Sequence, residues 1–330
     1  MCDAWMRKIE EVPILTAGRR RTPTGMGLIL LLSFWAAGAG CSIKRTVKVE
    51  VSPKILQAKS ATFAEQLSII RTYDKITSLS SNNLRITLIS GRKESGELQK
   101  YPSAPGYIVL RRPDSTRMVV QYPVTKTTIL DLLSVGDDFC VWVPRENKYY
   151  TGKNSAGELV AEDLPDSPGF TLRATHIFEA ILPRDFVPDA PGVLVETEEN
   201  VTADAKYYVV SVFRDSEDLV EGGARRIHAA RRINAAKRVW IERSGLTVAR
   251  QQIYQEDGRI MSDVTYADFV LSDGLALPLK IRIDRPLDGY TLDMEFKNWR
   301  VNPELPENAF ILPPPSGAQI VPFKERGAVS

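Results

Sequence analysis

The chain has 330 residues with 43 Lys or Arg against 41 Asp or Glu, a formal net charge of +2, and 43% hydrophobic residues. Near-balanced charge removes any general case for nucleic acid, and the apolar fraction suffices for a sizeable core in one sheet-rich domain. Two histidines, His176 and His228, have no partners at metal-ligand spacing, and Cys2, Cys41 and Cys140 are the three cysteines; zinc sites, imidazole-pair catalysis and an internal disulfide are poorly supplied.

The first distinctive stretch is Gly27 to Cys41, GLILLLSFWAAGAGC, preceded by Arg19-Arg20-Arg21. A basic lead, an apolar run and small residues before a cysteine follow the order of a secretory signal. The apolar run is shorter than the ~20 residues a helix needs to cross a bilayer core. Residues 1–40 are therefore expected to be a lipoprotein signal peptide, with Cys41 taking a diacylglyceryl group after cleavage. Gly-Ala-Gly-Cys looks like a bacterial lipobox, with Gly38 where Leu is usual. Cleavage elsewhere nearby, or an uncleaved helix, are the alternatives.

Residues 41–60 alternate charge with Val and Ile and contain Pro53, which suits an extended tether. From Ala61 to Thr77, Phe63, Leu67, Ile70, Tyr73 and Ile76 recur at steps of three and four, the pattern of an amphipathic helix. The run Leu79-Ser80-Ser81-Asn82-Asn83 is expected to end it in a turn. Strands are expected at Leu84 to Ser90, Tyr107 to Arg111, Arg117 to Tyr122, Asp138 to Pro144 and Lys148 to Thr151, joined by short Gly- and Pro-bearing connections that favour antiparallel pairing. Cys140 falls in one of them, DFCVWV, where a buried inert thiol is expected.

A second helix is expected where Phe170, Ala174, Ile177, Phe178 and Ile181 form one stripe closed by Pro183, with His176 beside the stripe and solvated or capping. Residues 183–200 read as a surface loop. Further strands are expected at Lys206 to Arg214, Lys237 to Glu242, Val248 to Gln255, Ile260 to Phe269, Leu277 to Asp284 and Tyr290 to Trp299, with tight-turn chemistry at Ser244-Gly245, Asp257-Gly258 and Asp273-Gly274. The proline-rich end carries one apolar anchor, Phe310-Ile311-Leu312.

The order of lipobox, first helix, LRITLISG, RRPDSTRMVVQYP, GDDFCVWVPRENKYYTG, mid-chain helix, RVWIERSGLTVARQQIYQEDGR and PENAFILPPPSG resembles the outer-membrane lipoprotein carrier and receptor superfamily, the LolA/LolB-like proteins, over most of residues 60–322. That resemblance implies an α+β fold: a strongly curved, incompletely closed antiparallel β-sheet, a half-barrel, with amphipathic helices covering the concave face and acyl chains bound between. It implies a domain at 61–322 with a C-terminal tail at 323–330. It also assigns a lid contact to the arginine after the second strand, which is Arg112 or the adjacent Arg111.

Alternation places Ile86, Leu88, Ile108, Leu110, Met118, Val120, Tyr122, Phe139 and Val141 on the concave side, as a ligand-lining set or as ordinary core. The segment GGARRIHAARRINAAKR gathers Arg225, Arg226, Arg231, Arg232, Lys237 and Arg238, either for anionic headgroups or as a solvated hairpin tip. No Gly-x-Ser-x-Gly motif or Gly-rich loop is present, and the carboxylate pairs Asp137-Asp138 and Glu198-Glu199 lie in polar surroundings. The expectation is a non-catalytic envelope lipoprotein, needing no cofactor and held through Cys41 at the outer membrane facing the periplasm. It binds an acyl chain, lipid or lipoprotein, in trafficking or sensing. The alternative is a structural lipoprotein with a filled core that docks an envelope protein partner.

Overall fold

In a computed structural model the described residues are 53–91, 98–155, 159–160, 172–183, 193–217 and 231–325. The proposed signal peptide, Cys41 and residues 225–230 of the basic segment lie outside them.

The expected extended tether contains one helical turn, α1 (Pro53–Leu56). Helix α2 (Phe63–Arg71) starts where Thr62 and Glu65 form a capping box: the Glu65 amide donates to Thr62 Oγ1 at 3.3 Å, and the Thr62 amide donates to Glu65 Oε2 at 2.7 Å. It passes into a 3-10 turn, Thr72–Lys75. The expected turn at 79–83 is instead strand: β1 (Ser78–Ser90) begins five residues before Asn83, with Leu79 opposite both Leu110 and Val301. The Ser and Asn residues mark a register shift between Ser81 and Leu84, a bulge inside the strand.

The chain then runs through β2 (Gln99–Lys100), β3 (Ala104–Arg111), β4 (Ser115–Gln121), β5 (Thr128–Val135), β6 (Asp138–Val143), β7 (Lys148–Lys153) and β8 (Leu159–Val160) to helix α3 (Ala174–Ile181). After α3 come β9 (Val193–Val201), β10 (Lys206–Glu217), β11 (Arg231–Glu242), β12 (Thr247–Tyr254), β13 (Ile260–Ser272), β14 (Leu275–Arg285), β15 (Tyr290–Phe296) and β16 (Arg300–Val301). A 3-10 turn at Glu307–Phe310, β17 (Gln319–Pro322) and β18 (Lys324–Glu325) complete the described chain.

Sixteen strands form one sheet in the order β17-β7-β6-β5-β4-β3-β1-β15-β14-β13-β12-β11-β10-β9, with β2 and β16 also paired to β1. The sheet is curved and does not close: β17 and β9 are its two edges. Among its pairs one departs from the expected antiparallel pattern, since β17 runs parallel to β7. The C-terminal segment returns over the sheet before joining its edge, which a hairpin could not do.

Two elements escaped the periodicity. The strand β5, TILDLLSV, is covered on both faces, with Leu132 in the main core and Leu133 in a smaller cluster on the other side, so no clean alternation shows. The expected loop before 200 is β9, paired to β10 along its full length despite Glu196, Glu198 and Glu199. Charge on an edge strand guards it against further pairing rather than preventing the strand.

Cross-strand rows show how the faces divide. Ile108, Met118, Leu132 and Val141 lie opposite one another across four strands and belong to the main core with α3. On the other face Leu133, Cys140, Tyr149 and Phe310 form the smaller cluster, capped by the C-terminal segment. Arg117 fastens that segment by donating to the carbonyls of Ala309 and Ile311 while paired with Asp131 at 2.8 Å. Burial raises the pKa of the Cys140 thiol, as expected of an inert cysteine.

Candidate functional site

The concave face is an apolar trough, and α3 lies in it. Ile177 and Phe178 are fully buried, and with Ala174, Ala180 and Ile181 they pack on Ile86, Ile108, Leu110, Met118, Phe139 and Val141. Leu88 and Val120 are partly buried against the same cluster. Tyr122 lies apart: it follows the end of β4 and is 39% exposed, because the strand stops at Gln121 and the chain turns outward. Helix α2 lies against the far end of the sheet, where Ile70 joins Tyr208, Val210, Val239, Ile241 and Val248. Phe139 also borders an open groove of about 700 Å³ at the sheet edge, together with Gly152, Pro322 and Phe323.

Both ends of α3 are held by polar groups. A helix leaves its last carbonyls without internal partners. Here Tyr266 Oη donates to the Ala180 carbonyl at 2.6 Å and Gln251 Nε2 to that of Glu179 at 3.5 Å. Arg112 donates from Nη2 to the Pro183 carbonyl at 3.3 Å and the Tyr73 carbonyl at 3.2 Å, and from Nε to that of Ile76 at 2.9 Å. Arg112 thus bridges the segment after α2 to the end of α3. Arg111 points the other way and stacks over Phe310, 4.5 Å from its ring centre.

The N-terminal half of α3 carries His176, which is buried rather than solvated, correcting the expectation from the sequence. Arg285 Nη2 lies 2.9 Å from His176 Nε2, and Tyr290 Oη lies 2.8 Å from Nδ1. A guanidinium can only donate, so Nε2 must be the acceptor and the proton sits on Nδ1, donating to the phenol. Arg285 Nε is in turn paired with Asp288 at 2.6 Å. Burial foremost, then the charges of Arg285 and Arg173, pushes the His176 pKa well below its ordinary value, so the imidazole is neutral. Burial raises the Tyr290 phenol, which stays protonated.

This cluster escaped the sequence reading because Arg285, Asp288 and Tyr290 sit in and beside the β14–β15 turn, where charge usually means solvent. A signal existed in α3 itself. In ATHIFEAI, Thr175 and Glu179 share the one half-buried face and His176 falls off it, among the buried apolar residues. The described part of the basic segment, with Arg231, Arg232, Lys237 and Arg238, lies in β11, paired to β10. Among the described residues no group of three or more His, Cys, Asp or Glu could hold a metal ion, and no helix is long and apolar enough to cross a membrane.

No protein-family model matches the sequence, and comparison with curated proteins yields no match. Similar solved structures include a DUF1329 family protein from Desulfovibrio piger, at 15% identity and TM-score 0.47, covering 75% of this chain and 95% of that one. Another is a LolA superfamily protein from Nitrosomonas europaea, at 14% identity and TM-score 0.43, covering 77% of this chain and 99% of that one. A third is an outer membrane lipoprotein-sorting protein domain from Vibrio parahaemolyticus, at 11% identity and TM-score 0.41, covering 74% and 94%. The chain is similar in structure to LolA superfamily and DUF1329 proteins.

Proposed function

We propose that this chain is a membrane-anchored envelope lipoprotein that holds an acyl chain in the trough now occupied by α3. The observation that carries the reading is α3 itself. It is an eight-residue apolar segment laid along the concave face of an open sheet and held at its ends by side-chain hydrogen bonds. Burying Ile177, Phe178 and Ile181 is worth about 5–9 kcal/mol together, and about a dozen acyl methylenes at ~0.8 kcal/mol each would match it. An acyl chain can therefore replace the helix without specific polar contacts along its length. Ile86, Leu88, Ile108, Leu110, Met118, Val120, Phe139 and Val141 would line it, Arg112 would hold the lid, and the groove beside Phe139 would be its entry. Cys41, carrying a lipid, would hold the protein at the outer membrane facing the periplasm, which suits receiving or sensing lipid there rather than carrying it across. The reading includes no catalysis.

A second reading is favoured by the full burial of Ile108, Leu110 and Met118 under α3. There the trough is simply core, and the protein docks another envelope protein. Mass spectrometry of the purified chain for bound lipid, with uptake of a fluorescent fatty acid, separates the two. The absence of both bound lipid and uptake would defeat the acyl-binding reading. The anchor is tested separately: Cys41→Ser should release the protein from membranes and abolish labelling by a palmitate analogue, and continued membrane attachment would sink that assignment.

A further inference from the structure

The open edge of the sheet at β9 has a complement in the chain itself, and we propose that residues 43–51 add to it as a further, parallel strand. These residues, IKRTVKVEV, lie outside the described part of the chain. Ile43, Thr46, Val47, Val49 and Val51 suit a strand, and β9 has the same length of nine residues. The position of α1 sets the direction. It starts at Pro53, and its Lys54 lines a groove with Asn200 and Thr202, at the C-terminal end of β9. A segment that reaches that point from its own N-terminus and lies along β9 runs parallel to it, with Ile43 beside Val193.

The two faces then match. β9 turns Val195 and Thr197 toward α2: Val195 packs in the cluster around Ile70, and Thr197 Oγ1 donates to Gln66 Oε1 at 2.7 Å. Alternation puts Glu196 and Glu198 on the opposite face, where among the described residues no cation pairs with them. In the segment, Val47, Val49 and Val51 share one face, and Lys44 and Lys48 the other. Pairing sets the valines on the α2 side and the lysines beside Glu196 and Glu198, while Arg45 falls on the side of Glu199. Leu194 and Val201, 47% and 61% exposed at the open edge, gain a neighbour. A second copy fits worse. Two β9 edges side by side would set acids against acids, and like charges opposite one another destabilise a strand pair. The acids that refuse another β9 select a basic strand. On the anchor reading, a lipid on Cys41 then sits at the Val193 end of β9 and gives the domain a set orientation to the membrane.

The test is hydrogen exchange by mass spectrometry on the full chain in neutral detergent, read over residues 43–51 and 193–201. Residues 43–51 should exchange at least about tenfold more slowly than an unpaired chain. K44E/K48E and E196K/E198K should each speed exchange in both stretches about tenfold, as attractive cross-strand pairs turn repulsive, and the two sets combined should restore the native rate. K44E/K48E alters no residue of the described sheet, so its result stands if E196K/E198K disturbs β9. Residues 43–51 exchanging at the unpaired rate would overturn the proposal. So would protection that ignores E196K/E198K, which places the segment elsewhere, or protection that grows with protein concentration, which makes the partner a second copy. None of these outcomes touches the acyl-binding reading.

Discussion

Arg285 donates through Nη2 to Nε2 of His176 at 2.9 Å, and this bond makes the only described imidazole a neutral acceptor inside the fold. The groups facing it are Arg173 from just before its own helix, Arg285 from the end of β14, Asp288 from the β14–β15 connection, and Tyr290 from β15. Protonation would turn the acceptor into a donor and set two cations against each other.

The pH dependence follows in sign from this arrangement. The folded pKa lies below the unfolded value of about 6.5, so below that pH the unfolded chain binds more protons than the folded one. The stabilising contribution is complete above about pH 6.5 and is lost as pH falls from there towards the folded pKa. The slope from this one proton is at most about 1.4 kcal/mol per pH unit. Urea midpoints measured across that window should fall for the native chain and fall less for H176Q, which cannot take the proton. Equal slopes for the two would remove His176 as the cause.

The sequence made most of the sheet legible because its strands are covered on one face and alternate, and turn residues such as Asp257-Gly258 and Asp273-Gly274 bound them. β5 was illegible because the C-terminal segment covers its second face, and nothing local to TILDLLSV announces a contact with Phe310 far along the chain. β9 was hidden by Glu196, Glu198 and Glu199, whose charge is a property of an edge and not of a loop. Of the residues picked by alternation, those from Ile86 to Val141 other than Tyr122 lie in or against the main core, while Tyr122 lies past the end of β4 and is partly exposed. The polar cluster at His176 depends on where one turn meets one helix, which no spacing in the chain encodes.

Arg112 and Arg111 are neighbours with different duties. Arg112→Ala removes the donors that hold three carbonyls, those of Tyr73, Ile76 and Pro183. The loss should be about 2 kcal/mol of stability, with faster amide exchange across Ala174–Ile181. Arg111→Ala removes a cation stacked on Phe310 and should cost about 0.5–1 kcal/mol without changing exchange in α3. Exchange that rises equally in both variants would show that α3 is not held through Arg112.

Gly106 is required by a close approach. A Cβ added there would sit 2.3 Å from the Val119 carbonyl oxygen, a backbone atom of the paired strand β4. Neither strand can yield without breaking the ladder between β3 and β4. Gly106→Ala should therefore destabilise by about 1–3 kcal/mol, the range for forcing an extra methyl into a packed position. A denaturation midpoint within error of the native chain would mean that the two strands slide past each other freely.

Phe323 packs against the main core. Phe323 sits 5.5 Å from Phe139 and 5.4 Å from Tyr150, ring centre to ring centre, and its amide donates to the Thr151 carbonyl at 2.8 Å. It thereby covers the end of the trough where Phe139 borders the groove. Phe323→Ala should destabilise the fold by about 2–3 kcal/mol, less than the full cost of a central aromatic because the site lies against an open groove. If that groove is the ligand's entry, the same variant should take up a fluorescent fatty acid faster than the native chain at equal folded fraction. Lost stability with an unchanged uptake rate would leave Phe323 a packing residue and move the entry elsewhere along the trough.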